Sequence, residues 1–246
     1  LGPLGRLRPE EQHVDSQAFA LFPVWYAAFL LSLTCHEAAH AWAAHRGGDD
    51  TAYLAGQVSL SPWPHIRREP IGTILVPLLT YWHTHWMMGW ASAPYDPFWE
   101  QRHPRRAAAM SAAGPAANFL LFTLAFAALK AGLAWGVWTV PETGTVAIDR
   151  LVAAAPGGPG FVDALGRFLS IVLGLNLILG VFNLLPFPPL DGISVLAGLF
   201  APVRALYVKL RSVPAAGLVG LIAAWTIAPY VVTPVLRAAV TALLTG

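Results

Sequence analysis

Residues 18–45, AFALFPVWYAAFLLSLTCHEAAHAWAAH, hold the reading that decides the fold. From Ala18 to Cys35 they carry no charge, and a helix needs about 20 such residues to cross a hydrocarbon layer of about 30 Å. His36, Glu37 and His40 follow with no polar linker. A carboxylate inside a membrane helix costs at least ~2.5 kcal/mol unless a partner or a water-filled cavity receives it, so Glu37 marks a functional position. Each helical residue turns by about 100°, which puts His36 and His40 one turn apart on one face. Two neutral imidazoles placed this way suit zinc, and a glutamate between them can act as general base toward water. His45 falls on the opposite side of the same helix and cannot join them. The competing reading, a polar face on a soluble helix, is disfavoured by the flanks FLLSLTC and AWAA. Cys35 reads as a packing residue.

The remaining sequence is of the same kind. Of 246 residues, 56% are hydrophobic and 11% charged, where an ordinary soluble domain carries roughly a quarter charged. That composition excludes disorder and argues against a soluble enzyme. A net charge of +2 without a basic block excludes a nucleic-acid footprint. One cysteine excludes an internal disulfide and a thiolate cluster. The start, LGPLGRLRPEEQHVDSQ, has no initiator Met and no signal-like pattern and reads as trimmed or incomplete. It forms an N-terminal polar segment, 1–17, ahead of a single membrane-embedded domain, 18–246.

Four further apolar runs are long enough to cross: Ile71 to about Ala91, Ala107 to Lys130, Phe168 to Leu190, and Ser212 to Leu236. Pro77, Pro115, Pro214, Pro229 and Pro234 predict kinked or re-entrant stretches, tolerated where protein satisfies the freed carbonyls. The fold class expected is an all-α polytopic membrane protein. It is a bundle of about five transmembrane helices, with a short β hairpin at the membrane face in TAYLAGQVSLSPW (51–63). Trp138 to Gly166, rich in Gly and Pro, reads as an exposed loop. With five crossings, Lys and Arg divide 8 against 7 between the two faces, too even to orient the chain.

A two-His zinc site takes a further protein ligand. Asp191, at the end of an uncharged run broken by Pro186, Pro188 and Pro189, is the best candidate. The alternative for Asp191 is a helix N-cap before Ile193. His83 and His85, among Trp82, Trp86 and Trp90, are reserve ligands, although an aromatic-rich segment end usually marks the membrane interface. His65 and His103 neighbour arginines and look solvated.

HEAAH (36–40), AGPAAN (113–118) and FNLLPFPPLDG (182–192), with the intervening stretches 54–79 and MMGWASAP (87–94), resemble the site-2 protease family of intramembrane metalloproteases. The resemblance spans Phe29 to Leu199 and corresponds to a minimal core without a PDZ or CBS domain. It implies one Zn²⁺ per chain on His36, His40 and Asp191, with Glu37 activating water. It also implies that Asn183 and the Pro-rich loop including Pro189 engage the substrate or polarise its carbonyl, with Asn118 near the site; close helix packing with a buried amide hydrogen bond is an equally good reading of Gly114 and Asn118. The local departure is Ser92 in GWASAPYD, where relatives often carry Lys. The expected function is hydrolysis of a peptide bond in or near a transmembrane segment of a membrane-protein substrate, in a prokaryotic cytoplasmic membrane. The competing readings are a membrane metal transporter and a catalytically silent relative that binds transmembrane partners.

Overall fold

The computed structural model describes residues 9–141 and 147–245, with side chains from Phe19 onward. Among the described residues, ten α-helices occur in the order α1 (Pro9–Arg46), α2 (Thr51–Leu54), α3 (Trp63–Arg68), α4 (Val76–Thr84), α5 (Pro97–Arg102), α6 (Pro104–Ala134), α7 (Gly160–Asn183), α8 (Asp191–Leu199), α9 (Ala201–Arg211) and α10 (Ala216–Leu244). A single π-helical turn, Ile71–Leu75, precedes α4. Four segments are long and apolar enough to span a bilayer: Phe19–Arg46, Pro104–Ala134, Gly160–Asn183 and Ala216–Leu244. The protein is an integral, multi-pass, all-α membrane protein.

Three departures from the sequence pattern have physical causes. The run from Ile71 to Ala91 does not cross: five π-helical and nine α-helical residues end at His85, whose left-handed backbone (φ 54°) turns the chain. The chain then returns without helix to Asp96, whose N–H donates to Asp49 Oδ2 at 2.8 Å. This re-entrant unit packs along the first half of α1 through Phe19–Trp82, Phe22–Tyr81 and Trp25–Trp86 ring contacts. The strand expected in 51–63 is absent, because α2 and α3 occupy the ends of that stretch. The one ribbon among the described residues lies instead in the segment read as a loop, where Trp138–Thr139 pairs antiparallel with Ala153–Ala154. Trp138 there is buried against Gly132, and its indole N–H donates to Val162 O at 2.9 Å. Residues 142–146 of that segment lie outside the described residues. Finally, α7 begins at Gly160 rather than Phe168 because Asp163 and Arg167 neutralise each other one turn apart at 2.9 Å.

α6 lies at the centre, packed against α1, α7 and α8. One end of the bundle is fastened where Trp99 Nε1 and Arg106 Nη1 both donate to Gly47 O, at 3.0 and 3.1 Å. The other is fastened by Lys130, whose ammonium donates to the carbonyls of Ala242, Leu243 and Thr245 at the end of α10. The connections 47–103 and 184–215 therefore share one face. That face carries Arg46, Arg67, Arg68, Arg102, Arg105, Arg106, Arg204, Lys209 and Arg211. The opposite face has Lys130, Arg150, Arg167 and Arg237 among the described residues. The even division expected from five crossings disappears because the second run does not cross.

Asp49 clips the end of α1 to the returning segment. Burial works against its charge, but Thr51 Oγ1 and N (2.5 and 3.0 Å) and the Asp96 N–H all donate to the carboxylate and hold its pKa below the ordinary value of 3.8. A depressed carboxylate contributes stability above the unfolded pKa and loses it as pH falls through the folded one. Asp49→Ala is expected to lower stability by about 1.5–3 kcal/mol at neutral pH, with the deficit shrinking below pH 3.8. Thermal unfolding of the two proteins in detergent across acid pH checks this.

Candidate metal centre

His36 and His40 project from one face of α1 and are almost fully buried. Their Nε2 atoms lie 2.9 Å apart. Asp191, the first residue of α8, brings Oδ2 to 3.3 Å from His36 Nε2 and Oδ1 to 3.4 Å from His40 Nε2. The N-cap of α8 is Leu190, so the capping role does not account for Asp191. The Pro-rich loop that delivers it is pinned to α10: Leu185 and Leu190 are buried with Ala224 and Ala228. Gly220 lets α10 approach, since a Cβ there would strike Pro188 O.

The surroundings of these three side chains fit a cation. His40 Nδ1 lies 2.8 Å from the Met110 carbonyl, which only accepts, so Nδ1 carries the hydrogen and Nε2 of the neutral ring presents a lone pair. His36 Nδ1 meets Asn118 Oδ1 at 2.6 Å in the same manner. No hydrogen-bond donor reaches the buried Asp191 Oδ2. Electron-rich atoms at such spacing repel unless positive charge lies among them. Zinc bonds of about 2.0–2.2 Å in a tetrahedron place neighbouring ligand atoms about 3.3–3.6 Å apart, close to the separations between Asp191 and the two rings. Gly114 of α6 closes the back, where a Cβ would collide with both Nε2 atoms.

Glu37 is buried and lines the same cleft of about 290 Å³, together with Asn183, Pro189, Ser111 and the segment Gly89–Ala93. Tyr95, Glu100 and Tyr207 complete its wall. Burial, with the Glu100 carboxylate, pushes the Tyr95 hydroxyl up to about 12, so it faces the cleft as a neutral phenol. Arg211 donates to Glu100 at 2.7 Å, and Tyr207 meets Ser194 at 3.0 Å, tying α9 to α5 and α8. Ser92, at the departure from the family pattern, donates to Glu69 at 2.8 Å and accepts from Arg68 at 3.3 Å.

Residues 24–227 match peptidase family M50. The chain belongs to peptidase family M50. The resemblance to site-2 proteases is thereby borne out, and the protein is a membrane metallopeptidase. YwhC of Bacillus subtilis (strain 168), provisionally named a zinc metalloprotease, is 33% identical over 195 residues, covering 78% of this chain and 77% of its own. Rip2 of Mycolicibacterium smegmatis (strain ATCC 700084 / mc(2)155), named in the same way, is 29% identical over 189 residues. That match covers 72% of this M50 peptidase and 57% of the relative. No solved structure matches the chain at a significant level.

Of the residues singled out from sequence, the M50 fold brings His36, His40, Asp191, Glu37, Asn183 and Pro189 to one cleft. Asn118, expected near the site, is fully buried against His36 and does not line the cleft, its side chain being bonded to His36 and Asn176. His83 and His85 are exposed at the end of α4 and outside the three-residue cluster. His65 is buried, not solvated. Sequence reasoning missed Gly114 as a contact of the imidazoles, the Met110 carbonyl, and the tyrosines of the cleft. Only Gly114 had a signal, standing one helical turn before Asn118 in AGPAAN. Gly114→Ala is expected to displace both rings and reduce bound zinc severalfold or more, with the α-helical signal retained. Elemental analysis beside circular dichroism checks it.

Proposed function

We propose that this M50 peptidase is an intramembrane zinc endopeptidase, with its catalytic unit in residues 18–246, that cuts a peptide bond in or near a transmembrane segment of another membrane protein. The observation carrying this reading is the meeting of His36, His40 and Asp191 beside Glu37 in a cleft inside an apolar bundle. The names of both relatives support zinc as the ion. His36, His40 and Asp191 would hold the zinc, which would supply the Lewis acidity that acidifies water and polarises a carbonyl.

Glu37 takes the proton from the attacking water and returns it to the leaving amine. It is buried in the same turn of α1 as His36 and His40 and lines the same cleft. Asn183 offers an amide donor to the substrate backbone, and Pro189 shapes the wall against which an extended peptide lies. A helical carbonyl is already hydrogen-bonded, so substrates with helix-weakening residues are cut faster. The nine cations beside the connections 47–103 and 184–215 outnumber the opposite face even when Arg6 and Arg8 are counted there. That imbalance turns the α1 C-terminal end, which is nearer the catalytic residues, toward the cytoplasm of a prokaryotic cell. A metal-transport reading lacks further buried acids along the described helices that could relay a cation.

Purified wild type is expected to carry about one zinc per chain, and folded Asp191→Ala to lose most of it. Glu37→Gln is expected to keep its zinc while cleavage of a reconstituted transmembrane peptide containing a Gly-Pro pair falls by about 10²- to 10⁴-fold. Full zinc in Asp191→Ala removes that ligand, and undiminished cleavage by Glu37→Gln removes the base.

A further inference from the structure

Behind His36 runs a line of fully buried polar side chains that the peptidase chemistry does not touch: Ser32 on α1, Asn176 on α7 and Asn118 on α6. Each contact in it permits one polarity. The Ala28 carbonyl only accepts, so the Ser32 hydroxyl spends its single hydrogen there, at 2.7 Å. Ser32 Oγ must then accept from Asn176, at 2.8 Å, and the Val172 carbonyl accepts from the same Nδ2, also at 2.8 Å. With its NH₂ fixed by two acceptors, Asn176 turns Oδ1 to Asn118, which donates through Nδ2 at 2.8 Å. Asn118 is left with Oδ1 toward His36, so the ring hydrogen sits on Nδ1 and the Nε2 lone pair faces Asp191 and His40. An Asn118 turned the other way would point NH₂ at Nδ1 and drive the ring hydrogen onto Nε2, the form that cannot bind an ion there.

We infer that Asn176 is a positioning residue for the metal: through Asn118 it fixes the His36 tautomer that presents Nε2 to the ion. The position is also the junction of three helices, since its amide joins α7 to α1 through Ser32 and to α6 through Asn118. The two backbone carbonyls that end the line, Ala28 O and Val172 O, lie in helices and cannot reverse their polarity. The inference rests on the reading of His36, His40 and Asp191 as metal ligands.

The test is zinc affinity, measured by chelator competition on the full chain in detergent. Asn176→Leu, close in size and unable to orient Asn118, is expected to weaken zinc by about 10- to 100-fold. In an Asn118→Asp background the same change is expected to shift affinity less than threefold, because a carboxylate accepts from Nδ1 whichever way it turns. Equal losses in both backgrounds would make Asn176 a packing residue and overturn the inference. Should Asn176→Leu not fold, ¹⁵N spectra of histidine-labelled, metal-free wild type decide: neutral His36 protonated on Nδ1 supports the inference, and protonated on Nε2 overturns it. Failure of wild type to bind zinc at all would instead overturn the metal reading.

Discussion

The structure depends on three electron-rich atoms held against one another inside an apolar bundle. His36 Nε2, His40 Nε2 and an Asp191 oxygen converge at separations of 2.9 to 3.4 Å, and the low dielectric of the bundle strengthens their repulsion. Positive charge placed among them relieves that repulsion, and the groups nearby serve the approach. Gly114 removes the methyl that would occupy the space of the two imidazoles. The Met110 carbonyl and Asn118 take the hydrogens on the far side of both rings. A lone buried donor or acceptor costs about 1–3 kcal/mol, so these outer partners determine which way each ring can face.

Much of this was legible in the residues, and the limit of legibility has a physical form. The pairing of His36 and His40 was readable because helix periodicity is local: HEAAH defines one face whatever surrounds it. Asp191 was singled out because a carboxylate after a proline-broken apolar run can meet the two histidines, although a helix N-cap was an equally good reading of the segment alone. The second apolar run was counted as a crossing, although Pro77 allowed re-entry, because composition records hydrophobicity and not path. Its return at His85 is fixed by contacts with α1, Trp25 against Trp86 among them, that lie some sixty residues away in sequence. The ribbon at Trp138 was missed for a related reason, since Gly132 and Gly166 admit its indole from two different helices. Asn176 left only a faint trace, one of two amides in an uncharged run, where hydrogen bonding to its own helix would have been an equally good explanation.

The cleft gains its chemical character from the segment that does not cross. Gly89–Ala93 is a non-helical strip of backbone along the cavity that holds Glu37, and irregular backbone at such a place is tolerated only where protein or water satisfies it. Trp90 N–H finds the Gly72 carbonyl at 3.1 Å, and Ser92 finds Glu69. The short re-entrant helix thus supplies a wall with polar groups where a full crossing would have supplied another apolar surface. Water, which the hydrolysis consumes, needs such a wall to reach Glu37.

The third ligand has a different origin from the first two, and this links the metal to the completed fold. His36 and His40 are set by α1 against α6, an interface held by Gly114 and Asn118. Asp191 arrives on a loop whose place is fixed by α10, through Leu185 and Leu190 on Ala224 and Ala228 and through Gly220 under Pro188. An ion bound by all three ties the α10 side of the bundle to the α1–α6 pair. Free energy of binding then becomes free energy of folding, because the unfolded chain has no such arrangement to offer. A site geometry that suits hydrolysis would therefore also act as a clasp between the two parts of the bundle.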